Sequence, residues 1–149
     1  SSSSFADCPK NLKIGILTGL SGAGQSWGVS NKNGFEFGIK ESGCNNIVRI
    51  YEDDQFDPKK AVNGFRKLVD QDKVDVVIVT ASSTGNAVAP LAEQAKIPLF
   101  AWASDFKVSS GRQYVVRVWP SGELEGEYLA SNMSQYKNIS FYNNNTLDI

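Results

Sequence analysis

The sequence predicts an α/β fold: a doubly wound parallel sheet with helices in the crossovers. Three observations predict it. Short apolar runs alternate along the chain with longer segments whose apolar residues recur at helical spacing. The breaks between them are rich in Gly, Ser and Asp, residues that turn a chain. The resulting order, β-α-β-α-β-α-β-β-α-β, is a succession of βα units, and parallel strands are joined by such crossovers.

Taken in order, residues 1–11 read as a polar leader. Residues 12–18 carry Leu12, Ile14, Ile16 and Leu17 and form the first strand. A glycine-rich stretch follows, with Gly19, Gly22 and Gly24 spaced loosely as in a dinucleotide fingerprint. That fingerprint needs an acid ending the next strand within a tight βαβ unit. Asp53 and Asp54 end that strand but lie too far along, so the glycines read as a flexible loop for ligand approach. Residues 30–41 are helical, with Phe35, Phe37 and Ile39 as apolar positions and Gly43 as terminator. Residues 47–51 alternate apolar and polar as a second strand, closed by Glu52, Asp53 and Asp54 as a solvated end. Asp57 and Pro58 start the next helix as N-cap and first helical residue. Ala61, Val62, Phe65, Leu68 and Val69 give it an amphipathic face, and residues 70–72 end it.

Residues 74–79 form the central apolar run. A turn, Thr80-Ala81-Ser82-Ser83-Thr84-Gly85, leads into a helix-like segment from Asn86 to Ala95. Residues 97–102 form a strand ending in Ala103, Ser104 and Asp105. A polar link at 106–112 precedes a strand at 114–119, broken by Pro120-Ser121-Gly122. Residues 123–136 are helical in pattern, with Leu124, Tyr128, Leu129 and Met133 on one side. Residues 139–142 begin one more strand.

Composition narrows the function. The 149 residues suffice for one domain with a real core. Fifteen basic residues against sixteen acidic leave a net charge of -1, with no basic stripe for nucleic acid. No apolar run approaches the roughly 20 residues of a membrane helix. The polar Ser1 to Ser4 opening reads as a mature terminus or an expression remnant. Without histidine, Ser-His-Asp and Cys-His catalysis are excluded. Two cysteines alone do not fill a zinc site, and no metal or cofactor is expected. Cys8 and Cys44 both sit in polar surroundings; a disulfide between them closes a loop of about 36 residues, worth roughly 4 kcal/mol, and implies an oxidising compartment. Two free buried thiols are the alternative.

The candidate site lies where the central turn meets the next one. In a parallel sheet both fall at carboxyl ends of strands, where open α/β sheets bind ligands. Ser82, Ser83, Thr84 and Ser104 then converge on one crevice. A helix starting near Ser83 offers unpaired N–H groups and a positive dipole end to an anion. The simpler use of Ser82 or Ser83 is to cap that helix. Trp27 either covers the start of the first helix or lines the crevice as an aromatic contact.

Several stretches, in this order, resemble the type I periplasmic binding proteins, in particular the branched-chain amino-acid receptors of ABC importers. They are residues 14–22 (IGILTGLSG), Trp27-Gly28, residues 51–61 (YEDDQFDPKKA), the serine turn, Ile97-Pro98-Leu99-Phe100 and residues 116–120 (VRVWP). The resemblance covers about residues 12–142. It implies a two-lobed receptor that closes on a small ligand, does no chemistry, works with a permease and lives in the periplasm or outside the cell. It implies that residues 12–120 are the first lobe, without its returning segment, and that 121–149 cross over and begin the second. Ser82, Trp102, Ala103 and Ser104 align with residues that hold a ligand's carboxylate and ammonium, with backbone N–H donors at Ser83 and Thr84. Trp27 aligns with a wall of the side-chain pocket. Trp102 departs from the family, which commonly has Pro and small residues there. An indole at that position narrows the pocket or stacks on a ligand.

Proteins of this group are more than twice as long, so the chain reads as an N-terminal fragment. A lobe lacking its returning elements leaves apolar surface uncovered, and self-association through residues 123–142 is expected. The alternative function is a sensor ectodomain of the same fold. Sequons at Asn132, Asn138 and Asn144 suit a secreted chain, but arise readily in an Asn- and Ser-rich tail.

Overall fold

The computed structural model describes Cys8 and residues 10–44, 46–133 and 135–136. Five strands form one all-parallel sheet: β1 (Lys13–Thr18), β2 (Val48–Asp53), β3 (Val76–Val79), β4 (Leu99–Ala101) and β5 (Val115–Arg117). Their spatial order is β2-β1-β3-β4-β5. This doubly wound order changes direction between β1 and β3, which opens a crevice beyond the carboxyl ends of those strands. The strand expected at residues 139–142 lies outside the described residues.

Helices α1 (Gln25–Ser42), α2 (Pro58–Arg66), α3 (Ser82–Ala95) and α4 (Gly122–Met133) fill the connections. The predicted signals at the start of α2 hold: Asp57 accepts from the Lys60 N–H at 2.9 Å, with Pro58 in the first turn. After Arg66 the helix widens into a π-helical turn, Lys67–Gln71. Gly43 ends α1 at φ 72°, as the sequence indicates.

The start of α1 differs from the sequence reading. It begins at Gln25 rather than Ser30, on Gly24, which offers no side-chain cap. Ser30 is mid-helix, its hydroxyl donating to the Ser26 carbonyl at 2.8 Å, a back-bond that Ser makes inside helices. Trp27 therefore stands in the first turn of a helix and not in a loop.

Alternation along the strands sorts the sheet into two faces. On one, Leu17, Val77, Val79, Leu99, Ala101 and Val115 pack against Ala61, Phe65 and Leu68 from the α2 segment and Val88, Ala89 and Ala92 from α3. On the other, register aligns Tyr51, Ile16, Ile78, Phe100 and Val116 in one row. Helix α1 covers the β2 end of that row, where Glu36 accepts from Tyr51 Oη at 2.8 Å. Toward β5 the cover runs out, and Phe100 and Val116 are 40% and 49% exposed. A disulfide joins Cys8 to Cys44, which excludes the pair of free thiols and ties the leader to the end of α1.

Two sequence expectations at the β1 and β2 ends are corrected. The glycine-rich stretch is not a flexible loop. Asp53 accepts from the N–H of Leu20 at 2.8 Å and of Ser21 at 3.3 Å, and from the Ser21 hydroxyl. A Cβ on Gly24 would lie 2.3 Å from the Phe56 ring, and one on Gly28 1.9 Å from the Gly19 carbonyl oxygen. These glycines exist for close packing. Of the acids at the end of β2, Asp53 is exposed as expected, but Asp54 is not solvated. Asp54 is fully buried, and its Oδ1 accepts from the Phe56 N–H at 2.9 Å.

Candidate functional site

Strands β3 and β4 are neighbours, so the turns that follow them leave the sheet side by side. The cap of α3 is Ala81, an extended residue with no side-chain cap bond. Ser82, the first helical residue, is thus free of the capping role. Its Oγ instead accepts from the backbone N–H of Ser104 at 3.1 Å and of Asp105 at 3.3 Å, and stands 3.5 Å from Ser104 Oγ. The hydroxyls of the two turns meet. As the first turn of α3, Ser82, Ser83 and Thr84 carry N–H groups with no intrahelical acceptor, at the positive end of a 14-residue helix.

Two openings share this hydroxyl pair. One is a cavity of about 190 Å³ lined by Trp27, Thr80, Ala81, Ser82, Trp102, Ser104 and Trp119. The other is a more open groove of about 730 Å³ lined by Ser82, Ser83, Asn86, Ser104, Asp105, Gly122 and Glu123. The first has three indoles and no charged group; the second has two carboxylates. Asp105 is held below the usual carboxylate range chiefly by the Asn86 amide, which donates at 2.7 Å, and also by the Lys107 N–H.

The aromatic wall is built from three elements. Trp27 comes from α1, Trp102 follows β4, and Trp119 follows β5. Trp102 and Trp119 stack with ring centroids 5.4 Å apart and 28° between planes. Phe35 of α1 meets Trp102 edge-on at 6.2 Å. The buried Trp102 Nε1 has no acceptor among the described residues. Beyond the wall, the Gly122 N–H donates to the Ser104 carbonyl at 3.2 Å and that of Val118 to Ala101 at 3.0 Å. The segment leading to α4 is therefore tied to the Ser104 turn.

Of the residues singled out in the sequence, Trp27, Ser82, Trp102 and Ser104 share the cavity, and Ser83 lines the groove. The side chains of Thr84 and Ala103 are not brought there. Thr84 is fully buried with its hydroxyl donating to the Ala81 carbonyl at 3.4 Å, and Ala103 is buried. Trp119 and Thr80 line the cavity without having been singled out. For Trp119 a signal existed: an aromatic before Pro120 at the carboxyl end of a parallel strand belongs to the ligand edge. Thr80 Oγ1 donates to Thr18 Oγ1 at 2.8 Å, a partner that no sequence pattern reveals. Among the described residues no group of three or more metal-ligating side chains occurs.

The nearby acids are of a different kind. Burial pushes Asp53 up, but donors from Ser21, Leu20 and Gln55 outweigh it and hold the carboxyl below its usual range. Burial pushes Asp54 up to about 6, against the Phe56 N–H and with help from the Asp53 charge. Both acids stand apart from the residues that line the two openings.

Known proteins place this geometry. A solute-binding protein of an ABC transporter from Rhodopseudomonas palustris BisB5, solved with 3,4-dihydroxybenzoic acid, is 27% identical, with a TM-score of 0.72 over 81% of this chain and 36% of its own. A leucine-binding protein from Thermotoga maritima is 23% identical, with a TM-score of 0.77 over 83% of this chain and 37% of its own. A third, from Rhodopseudomonas palustris HaA2 with p-hydroxybenzoic acid, is 22% identical, with a TM-score of 0.78 over 85% of this chain and 36% of its own. The chain thus spans little more than a third of the length of these structures. No curated protein matches the sequence. The sequence model described as "Periplasmic binding protein" matches residues 11–145, and with the sheet order and neighbours above, the chain belongs to the type I periplasmic binding proteins.

Proposed function

We propose that these residues form the first lobe of an extracytoplasmic receptor for an ABC importer, and that the lobe holds the carboxylate of an amino acid or a similar small polar ligand. Residues 12–120 are the lobe, and 121–149 are the crossover toward a second one. The observation that carries this reading is the hydroxyl pair of Ser82 and Ser104, 3.5 Å apart beside the first turn of α3. Hydroxyls and unpaired N–H groups at a helix start are suited to an anion. The neighbours support a small carboxylate, since one is a leucine-binding protein and two were solved with hydroxybenzoic acids. Ser83 and Thr84 contribute backbone N–H groups, Ala103 spaces Trp102 from Ser104, and the indoles wall the ligand in. Closure by a second lobe excludes water and completes the contacts. The partner is the importer's permease.

Titration calorimetry of the full encoded chain against amino acids and small carboxylic acids tests the reading. The expected outcome is binding that falls at least tenfold in Ser104→Ala. Equal affinity in that variant rejects the hydroxyl pair as the anion site.

A separate expectation concerns α4. Leu124, Tyr128 and Leu129 are 61%, 68% and 54% exposed, a patch that favours pairing of these 149-residue chains. Light scattering at high concentration reads it: monomer throughout rejects it, and a dimer lost in Tyr128→Ser supports it.

A further inference from the structure

The ligand class is written in the aromatic half of the site, and this step rests on the carboxylate reading just given. We propose that the receptor selects a planar aromatic carboxylate, and that Trp119, stacked on Trp102, is the specificity-determining residue. Three observations converge. First, Trp27, Trp102 and Trp119 come from three separate elements yet line one cavity beside the Ser82 and Ser104 hydroxyls. Second, its walls are three indoles, of which Trp27 and Trp119 remain 45% and 39% exposed. Two half-exposed tryptophans at the mouth of a cavity are surface that a flat apolar guest removes from water. Third, Trp102 and Trp119 lie within 28° of parallel. A planar π-system extends such a stack in the offset geometry aromatic pairs prefer, whereas a branched aliphatic chain gains contact area alone.

The polar part of the cavity agrees. Ser82, Ser104, Thr80 and the start of α3 supply hydroxyls and N–H groups, and none of the cavity's residues carries a charge. The buried Trp102 Nε1 adds a donor without an acceptor among the described residues, which a ligand oxygen would satisfy. The guest is therefore a ring with one anionic group. Dicarboxylates are disfavoured, because Asp105 and Glu123 face the adjoining groove. Ring plus carboxylate occurs both in simple aromatic acids and in aromatic amino acids. The acidic groove is where the ammonium of the second kind would lie.

The test uses the full encoded chain with 4-hydroxybenzoate, phenylalanine, leucine and acetate, read by calorimetry and by tryptophan fluorescence. At least one ring ligand should bind tenfold or more tighter than leucine, with quenching of the indole emission. The two ring ligands distinguish the sources: phenylalanine ahead, and weakened in Glu123→Gln, assigns an amino acid; 4-hydroxybenzoate ahead assigns a simple acid. Trp119→Leu should bring the ring-to-leucine ratio close to one, and Trp119→Phe, which keeps a flat surface, should restore most of it. Leucine binding as tightly as both ring ligands overturns this proposal while leaving the carboxylate reading standing. Binding of none of the four overturns both. The wild-type ratio decides the ligand class even where Trp119→Leu does not fold; a ratio unmoved in a folded Trp119→Leu variant removes the role given to Trp119.

Discussion

The carboxyl ends of β2 and of β3 and β4 lie along one edge of the same sheet and carry similar residues, yet they are put to opposite use. At β2, Asp54 is buried, and Asp53, though exposed, is tied down by donors from neighbouring turns. Asp53 accepts from Leu20, Ser21 and Gln55. Phe56 closes the cluster by lying against Gly19 and Gly24. At β3 and β4, Ser82 and Ser104 bond each other's turns and still border two openings. Polar residues at a strand end therefore say little by themselves. What separates a structural cluster from a ligand site is whether the next segment seals it.

Breaking the sealed cluster should give the largest effect. In Gly28→Ala the new Cβ would lie 1.9 Å from the Gly19 carbonyl oxygen. Backbone does not yield as a side chain does, so α1 must shift away from β1. Overpacking of this kind costs about 3 kcal/mol, and the shift also carries Trp27 away from the cavity. Urea denaturation should show the loss. Gly34→Ala is the control in the same helix. Nothing lies within 4 Å of its Cβ, and replacing a mid-helix glycine should stabilise by roughly 0.5–1 kcal/mol. Equal behaviour of the two variants would mean that the α1 start is not pinned.

The next effect is the pH dependence of Asp54. Its folded pKa of about 6 lies above the ordinary 3.8, so between these values the native state binds more protons than the unfolded one. Stability falls as pH rises through that window. The contribution is fully present below about 4 and gone above about 6, and amounts to roughly 2–3 kcal/mol. In Asp54→Asn the fall should vanish, and the variant should gain on the parent from pH 4 to pH 7. Ligand affinity should change little, because Asp54 borders neither opening. Parallel stability curves for the two proteins would show that the buried carboxyl ionises without cost.

These two clusters also mark where sequence reading succeeds. The βα alternation, the Asp57-Pro58 start and the Gly43 stop are local signals, and the structure follows them. The meeting of Ser82 with Ser104 follows from topology, since adjacent parallel strands bring their ends together. What stayed hidden depends on long-range closure. The burial of Asp54 involves Thr84 at the start of α3, whose side chain bonds its carboxylate, and nothing near Asp54 in the chain announces this. The start of α1 was hidden because Gly24 leaves no capping signature, while Ser30 imitates one. Trp119 was readable as a strand end, but its stacking on Trp102 is a contact between two separate turns.

The smallest stability effect belongs to the open site and tests the comparison from its other side. Ser82→Ala removes the acceptor for the Ser104 and Asp105 N–H groups. Both lie beside openings that water enters, so the freed donors are not left dry. The cost should be about 1 kcal/mol, that of an ordinary hydrogen bond, while ligand affinity falls at least tenfold. A variant that loses about 3 kcal/mol or more and keeps its affinity would put Ser82 with Asp53, as a fastener of the fold rather than a contact for the guest.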